Sequence, residues 1–84
     1  MYYVYILKSL KDNMLYIGYT NNLKRRIKEH NDGESKSTRN RRPLKLVYYE
    51  ACLNQSDALH REKYLKTTYG HRYLKNRLKN YYEK

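Results

Sequence analysis

Tyr2-Tyr3-Val4-Tyr5-Ile6-Leu7-Lys8 and, after a polar break over residues 9–13, Met14-Leu15-Tyr16-Ile17-Gly18-Tyr19-Thr20 decide how this chain starts to fold. The first run is aromatic and β-branched throughout, the pattern of a strand covered on both faces. The second is strand-like again, and Lys11-Asp12-Asn13 between them suits the turn of an antiparallel hairpin. Side chains alternate along a strand. Tyr5 and Tyr16 therefore share a face only if paired residue numbers in the hairpin sum to an odd value, and that register is an expectation of the sequence.

Working outward, Asn21 and Asn22 offer N-caps for a short helix whose apolar pair, Leu23 and Ile27, sits at i,i+4, and Asn31-Asp32-Gly33 supplies its stop. Residues 34–43 are polar, carry Arg39, Arg41 and Arg42, and lack apolar periodicity, so they read as a basic loop. Residues 44–51 form a third strand, with Pro43 at its entrance where a missing N–H costs least. Asn54-Gln55-Ser56-Asp57 opens a helix, with Asn54 or Ser56 as cap and Asp57 near the positive helix end. That helix is expected to run to about residue 67, with Gly70 ending the link to a last amphipathic helix striped by Leu74, Leu78 and Tyr81. The order ββαβαα predicts an α+β fold, a three-stranded antiparallel sheet flanked by helices. At 84 residues the chain has room for one domain, expected over residues 1–84.

Charge is the strongest compositional signal. Nineteen Lys and Arg against eight Asp and Glu give a net charge of +11, which attracts polyanions and makes a phosphate backbone the expected partner. No basic amphipathic helix with a broad apolar face suggests a membrane surface, and no obligate protein partner is expected. The N-terminal apolar run is too short to span a bilayer and has no charged segment before it or small-residue cleavage site after it. A single cysteine, Cys52, forms no internal disulfide, which fits a reducing cytoplasm. Twelve tyrosines with no Phe or Trp must supply nearly all the core aromatics, so about two thirds are expected to be packed, with the rest free to stack on bases.

Several residues could carry chemistry. Glu62 falls in the stripe defined by Ala58, Leu59 and Leu65, where a carboxylate is costly unless it pairs with a Lys or Arg or binds a metal. Arg26 and His30 lie one helical turn apart and can address one ligand. A guanidinium matches phosphate in bidentate fashion, and a histidine there could move a proton, donate to phosphate or simply cap the helix end. Gly18 gives close approach to a backbone or phosphate, or only a turn. Arg39, Arg41 and Arg42, with Ser35, Ser37 and Thr38, offer phosphate donors, or a solvated loop. Tyr5 and Tyr16 are packing residues unless a cation or metal-bound water helps a phenol that normally titrates near ~10.

Taken together, these residues resemble the GIY-YIG nuclease family. Tyr3-Val4-Tyr5 stands where that family's first motif lies, with Tyr3 in place of its glycine. Tyr16-Ile17-Gly18 reproduces the second, Arg26 and His30 match its helix pattern, and Glu62 matches its helical metal ligand. Asn76 is the nearest candidate for the polar residue that often follows that glutamate. The stretches His30-Asn31-Asp32-Gly33, Arg41-Arg42-Pro43 and Val47-Tyr48-Tyr49-Glu50 resemble small standalone bacterial members, themselves similar to the N-terminal nuclease domain of the UvrC repair protein. The resemblance implies metal-dependent phosphodiester hydrolysis, of DNA in preference to RNA, in DNA repair or processing. It implies one Mg²⁺ or Mn²⁺ on Glu62, Arg26 on a nonbridging oxygen, Tyr5 (favoured) or Tyr16 orienting or deprotonating the water, and His30 assisting. A non-catalytic nucleic-acid-binding module is the alternative that the charge and the tyrosines support.

Overall fold

A computed structural model describes residues 1–82. Strands β1 (Tyr2–Ser9) and β2 (Leu15–Thr20) form the expected antiparallel hairpin. Side chains hold its turn. The Ser9 hydroxyl accepts from the amides of Lys11 and Asp12, and the Asp12 carboxylate accepts from the Met14 amide. Asn13 takes φ 62°, a left-handed conformation that asparagine tolerates. Strand β3 (Leu44–Cys52) pairs antiparallel with the other edge of β1, giving the order β2-β1-β3. The central position of β1 explains its unbroken apolar run: Val4, Tyr5, Ile6 and Leu7 are each at most 1% exposed.

Two cores lie on the two faces of this sheet. On the face that carries the even-numbered residues of β1, Val4 and Ile6, with Ile17 of β2, pack with Ala58 and Leu65 of helix α2 (Gln55–Leu65) and Leu74 of helix α3 (Thr68–Arg77). On the odd-numbered face, Tyr5 and Leu7 pack with Leu44, Leu46, Tyr16 and with Leu23 and Ile27 of helix α1 (Leu23–Asn31). A fully buried aliphatic side chain contributes roughly 1.5–3 kcal/mol, so neither small core offsets the chain's lost entropy alone and both depend on β1. Across the even face, Arg61 of α2 makes a two-pronged ion pair with Glu50 of β3 at 2.8 and 3.0 Å, and the Tyr48 hydroxyl donates to the same carboxylate.

Caps set the helix starts. Asn22 accepts from the Arg25 amide, and Asn54 rather than Ser56 caps α2, accepting from the amides of Ser56 and Asp57. Gly33, at φ 83°, follows the end of α1. Three boundaries differ from expectation. Helix α2 stops at Leu65, and Gly70 is the third residue of α3 instead of a linker. A Cβ at Gly70 would run into the backbone of Tyr64 and Leu65, so its absence lets α3 fold tightly back on the end of α2. The stripe of Leu74, Leu78 and Tyr81 is broken at Leu78, which separates α3 from a short α4 (Lys79–Tyr82). The basic loop contains a 3₁₀ turn at Arg39–Arg41. Of the twelve tyrosines, Tyr49, Tyr64, Tyr69 and Tyr82 are exposed, and the rest are partly or fully packed.

Candidate active site

The hairpin register puts Tyr5 opposite Gly18 and Leu7 opposite Tyr16, so paired numbers sum to an odd value and the two tyrosines share the α1 face. Their rings lie 6.3 Å apart. The Tyr5 phenol runs across the strand directly over Gly18, filling the volume a Cβ there would need. The space at Gly18, expected to admit a backbone or a phosphate, is thus taken by a side chain of the protein itself.

His30 joins the two phenols. Its ring centre is 5.6 Å from that of Tyr5 and 5.1 Å from that of Tyr16, edge-on to both. It is fully buried. Nε2 lies 2.8 Å from the Tyr5 hydroxyl oxygen and Nδ1 lies 2.7 Å from Thr38 Oγ1. A neutral imidazole has one N–H, and the Arg26 cation beside the phenol oxygen favours an O–H pointing away from it. Tyr5 therefore donates to Nε2, and Nδ1–H donates to Thr38. Burial, with the nearby Arg26 charge, lowers the His30 pKa to about 4, so the ring is neutral at pH 7. Burial raises Tyr5 to about 12 against the opposing pull of Arg26. His30 is thus no exposed helix cap, and Thr38 is fully buried as its partner instead of waiting for a phosphate.

Arg26 lies one turn before His30, as its spacing implies, and its Nη1 donates to Glu29 Oε1 at 3.1 Å. The Arg26 side chain stays 32% exposed, which leaves guanidinium edges open. Glu62 stands at the border of the α2 stripe, not in its middle. Ala58 and Leu65 are buried, but Leu59 is 42% exposed, so the covered side is narrower than the helical wheel suggests. The Glu62 carboxylate meets Lys66 Nζ at 3.3 Å, the ionic pairing the sequence left open, and its charge also bears on Tyr5. Among the described residues no group of three or more His, Cys, Asp or Glu is arranged to hold a metal.

The basic loop is tied down by its own arginines. Arg39 Nε donates to the Gly33 carbonyl, Arg42 Nε donates to the Arg39 carbonyl, and Arg41 pairs with Asp12 at 3.3 Å. Arg39 and Arg42 are nevertheless exposed. Ser35 is buried and bonded to Ser37. Asn76 is exposed near the end of α3, and its side chain bonds to none of Tyr5, Tyr16, Arg26, His30 and Glu62, among the described residues. Glu29 escaped the sequence although it was readable from its i,i+3 spacing to Arg26, and Thr38, expected as a phosphate donor, reaches His30 from a loop with no local signal of that pairing.

The β2-β1-β3 sheet thus brings two motif tyrosines together with a histidine, with an arginine one helical turn away. The chain matches the GIY-YIG catalytic domain over residues 1–76 and belongs to that family. Over 67 residues it is 57% identical to a UPF0213 protein of Clostridium perfringens, covering 79% of this chain and 71% of that protein. It is 51% identical over 67 residues to a UPF0213 protein of Staphylococcus haemolyticus, covering 79% and 80%. The solution structure of a UPF0213 protein from Bacillus halodurans is similar at TM-score 0.54 and 38% identity, over 88% of this chain and 82% of that one.

Proposed function

We propose that this chain is a metal-dependent endonuclease hydrolysing phosphodiester bonds in nucleic acid, DNA in preference to RNA, in DNA repair or processing. The observation that carries the reading is the meeting of Tyr5, Tyr16 and His30 beside Arg26, with the charge of Glu62 felt at the same phenol. No helix among the described residues is long and apolar enough to cross a membrane, and a cytoplasmic setting belongs to the proposal.

Each residue has a task fitted to its surroundings. Arg26, partly exposed and permanently charged, donates to a nonbridging phosphate oxygen as negative charge builds there. His30 is a positioning residue. Burial raises the Tyr5 pKa and lowers that of His30, and both directions oppose transfer of the Tyr5 proton, so His30 holds the phenol in place without deprotonating it. Tyr5 is 1% exposed and fixes the geometry, whereas Tyr16 is only partly covered. That difference favours Tyr16 as the phenol that meets the nucleophilic water, reversing the preference for Tyr5 suggested by the sequence. Arg39 and Arg42 offer their free edges to flanking phosphates.

Glu62 suits a Mg²⁺ or Mn²⁺ ion. It supplies hard oxygens, is 21% exposed, and its partner Lys66 is 54% exposed, so the ion pair is weak enough to yield. One carboxylate is enough for an ion that keeps its waters and takes further oxygens from substrate phosphate. When bound, such an ion supplies neutralisation of charge on the leaving oxygen.

The test is cleavage of single-stranded DNA, duplex DNA and RNA with Mg²⁺ or Mn²⁺ and then with chelator. Arg26→Ala and Glu62→Ala should each lose roughly 10²–10³-fold in rate. Intact substrates at high protein concentration, or variants that cut like the parent, would end this reading.

A further inference from the structure

We infer that the uncovered part of the sheet face that carries the odd-numbered residues of β1, where Tyr3 meets Tyr49, is a stacking site for one nucleobase of the substrate flanking the candidate site on its β3 side; this rests on the nuclease reading above. Helix α1 covers Leu7 and Leu44 but leaves an open cleft of about 560 Å³ beside them, lined by Tyr3, Tyr49, Leu23, Ile27 and half-buried Leu46 with Lys24 at its rim. Tyr49 is the direct cross-strand partner of Tyr5, so the cleft lies on the same sheet face as the candidate site, on the β3 side of β1, while the Tyr5 phenol leans over Gly18 on the β2 side.

The chemistry of the cleft selects its occupant. Tyr49 is 50% exposed although it points to a sheet face, and its ring meets Tyr3 edge-on at 6.0 Å. Neither hydroxyl has a hydrogen-bond partner among the described residues. An aromatic pair left uncovered this way presents a π-face, which any base can stack on. The rim complements a phosphate: the first turn of α1 holds no acidic residue, and Lys24 has no carboxylate partner among the described residues. No acid lines the cleft. Aromatic floor, cationic rim and a place on the same sheet face and under the same helix as the candidate site fit a nucleotide better than a peptide on a chain of net charge +11.

Binding without cleavage tests this. The full chain is titrated, in chelator, into a short oligonucleotide carrying the fluorescent base 2-aminopurine at successive positions, alongside the same oligonucleotide with single abasic positions. Wild type and Tyr49→Phe should quench the fluorophore at one position. Tyr49→Leu should lose that quench and bind about 5- to 100-fold more weakly. An abasic nucleotide at that position should cost wild type the same factor and cost Tyr49→Leu nothing more. Quenching and affinity unchanged in Tyr49→Leu would overturn the subsite. So would a wild-type protein indifferent to every abasic position, a result that needs no variant to fold. Position-specific quenching by a protein that shows no metal-dependent cleavage would instead overturn the nuclease reading and leave the stacking site standing.

Discussion

The Tyr5 phenol lies over Gly18 so closely that a Cβ at position 18 would overlap its hydroxyl and ring carbons. The phenol has little freedom to retreat, because His30 Nε2 holds its oxygen at 2.8 Å. Gly18→Ala should therefore destabilise the fold by about 1–3 kcal/mol, the usual cost of overpacking. It should also lower kcat by about 100-fold or more, since small displacements of site groups are that costly. Thermal unfolding and cleavage rates check both parts, and a Gly18→Ala protein of normal rate would show that the Tyr5 position is immaterial.

Acid should loosen the protein through His30. Its folded pKa, about 4, lies below the ordinary 6.5, so the unfolded chain binds more protons between those values and stability rises with pH across that window. The contribution is complete above pH 6.5 and is lost as pH falls toward 4, about 3 kcal/mol in all at ~1.4 kcal/mol per unit. Melting temperature measured from pH 7 to 4 should fall accordingly. His30→Gln should flatten that part of the profile, and an equally steep profile in the variant would place the titration elsewhere.

Thr38 should matter more than a loop residue ordinarily does. Thr38→Val leaves His30 Nδ1–H buried without an acceptor, at a cost of about 1–3 kcal/mol. Cleavage should slow as the ring loses its orientation, and Thr38→Ser, which keeps the hydroxyl, should recover most of the rate. Equal rates for the Val and Ser variants would remove Thr38 from the positioning chain.

Gly70→Ala should be harmful despite alanine's better helix propensity. The added Cβ meets the backbone of Tyr64 and Leu65, which cannot swing aside as a side chain can. A loss of about 1–3 kcal/mol in denaturant unfolding is expected. A stabilised variant would mean that α3 can move off the end of α2 at no cost.

Local signals accounted for most of the fold. The doubly apolar run of β1 asked for a strand covered on both faces, the caps fell on Asn22 and Asn54 among the candidates offered, and the odd hairpin register needed for Tyr5 and Tyr16 to meet is the one found. What escaped depended on contacts between distant segments. Gly70 looks like a breaker until the backbone it must pass is known. Glu62 sat mid-stripe on a wheel that assumed Leu59 to be covered, and nothing in the sequence says that the sheet stops short of Leu59. Arg39, Arg41 and Arg42 looked free because their partners, the Gly33 and Arg39 carbonyls and the distant Asp12 carboxylate, are set by the path of the loop and not by any side-chain spacing. His30 was legible as a participant but not as a buried, neutral one, because Tyr5 and Thr38 arrive from separate elements.

The Arg61–Glu50 ion pair lies on the opposite side of the sheet from the phenols, yet Arg61 is the chain neighbour of Glu62. Successive helical residues are fixed about 100° apart, so a two-pronged grip on Arg61 also sets the roll of α2 about its axis. The pair works as a rotational stop: it aims the neighbouring carboxylate without touching it. A designer transplanting this candidate site to another scaffold would need to carry Glu50 along with Tyr5, Tyr16, Arg26, His30 and Glu62.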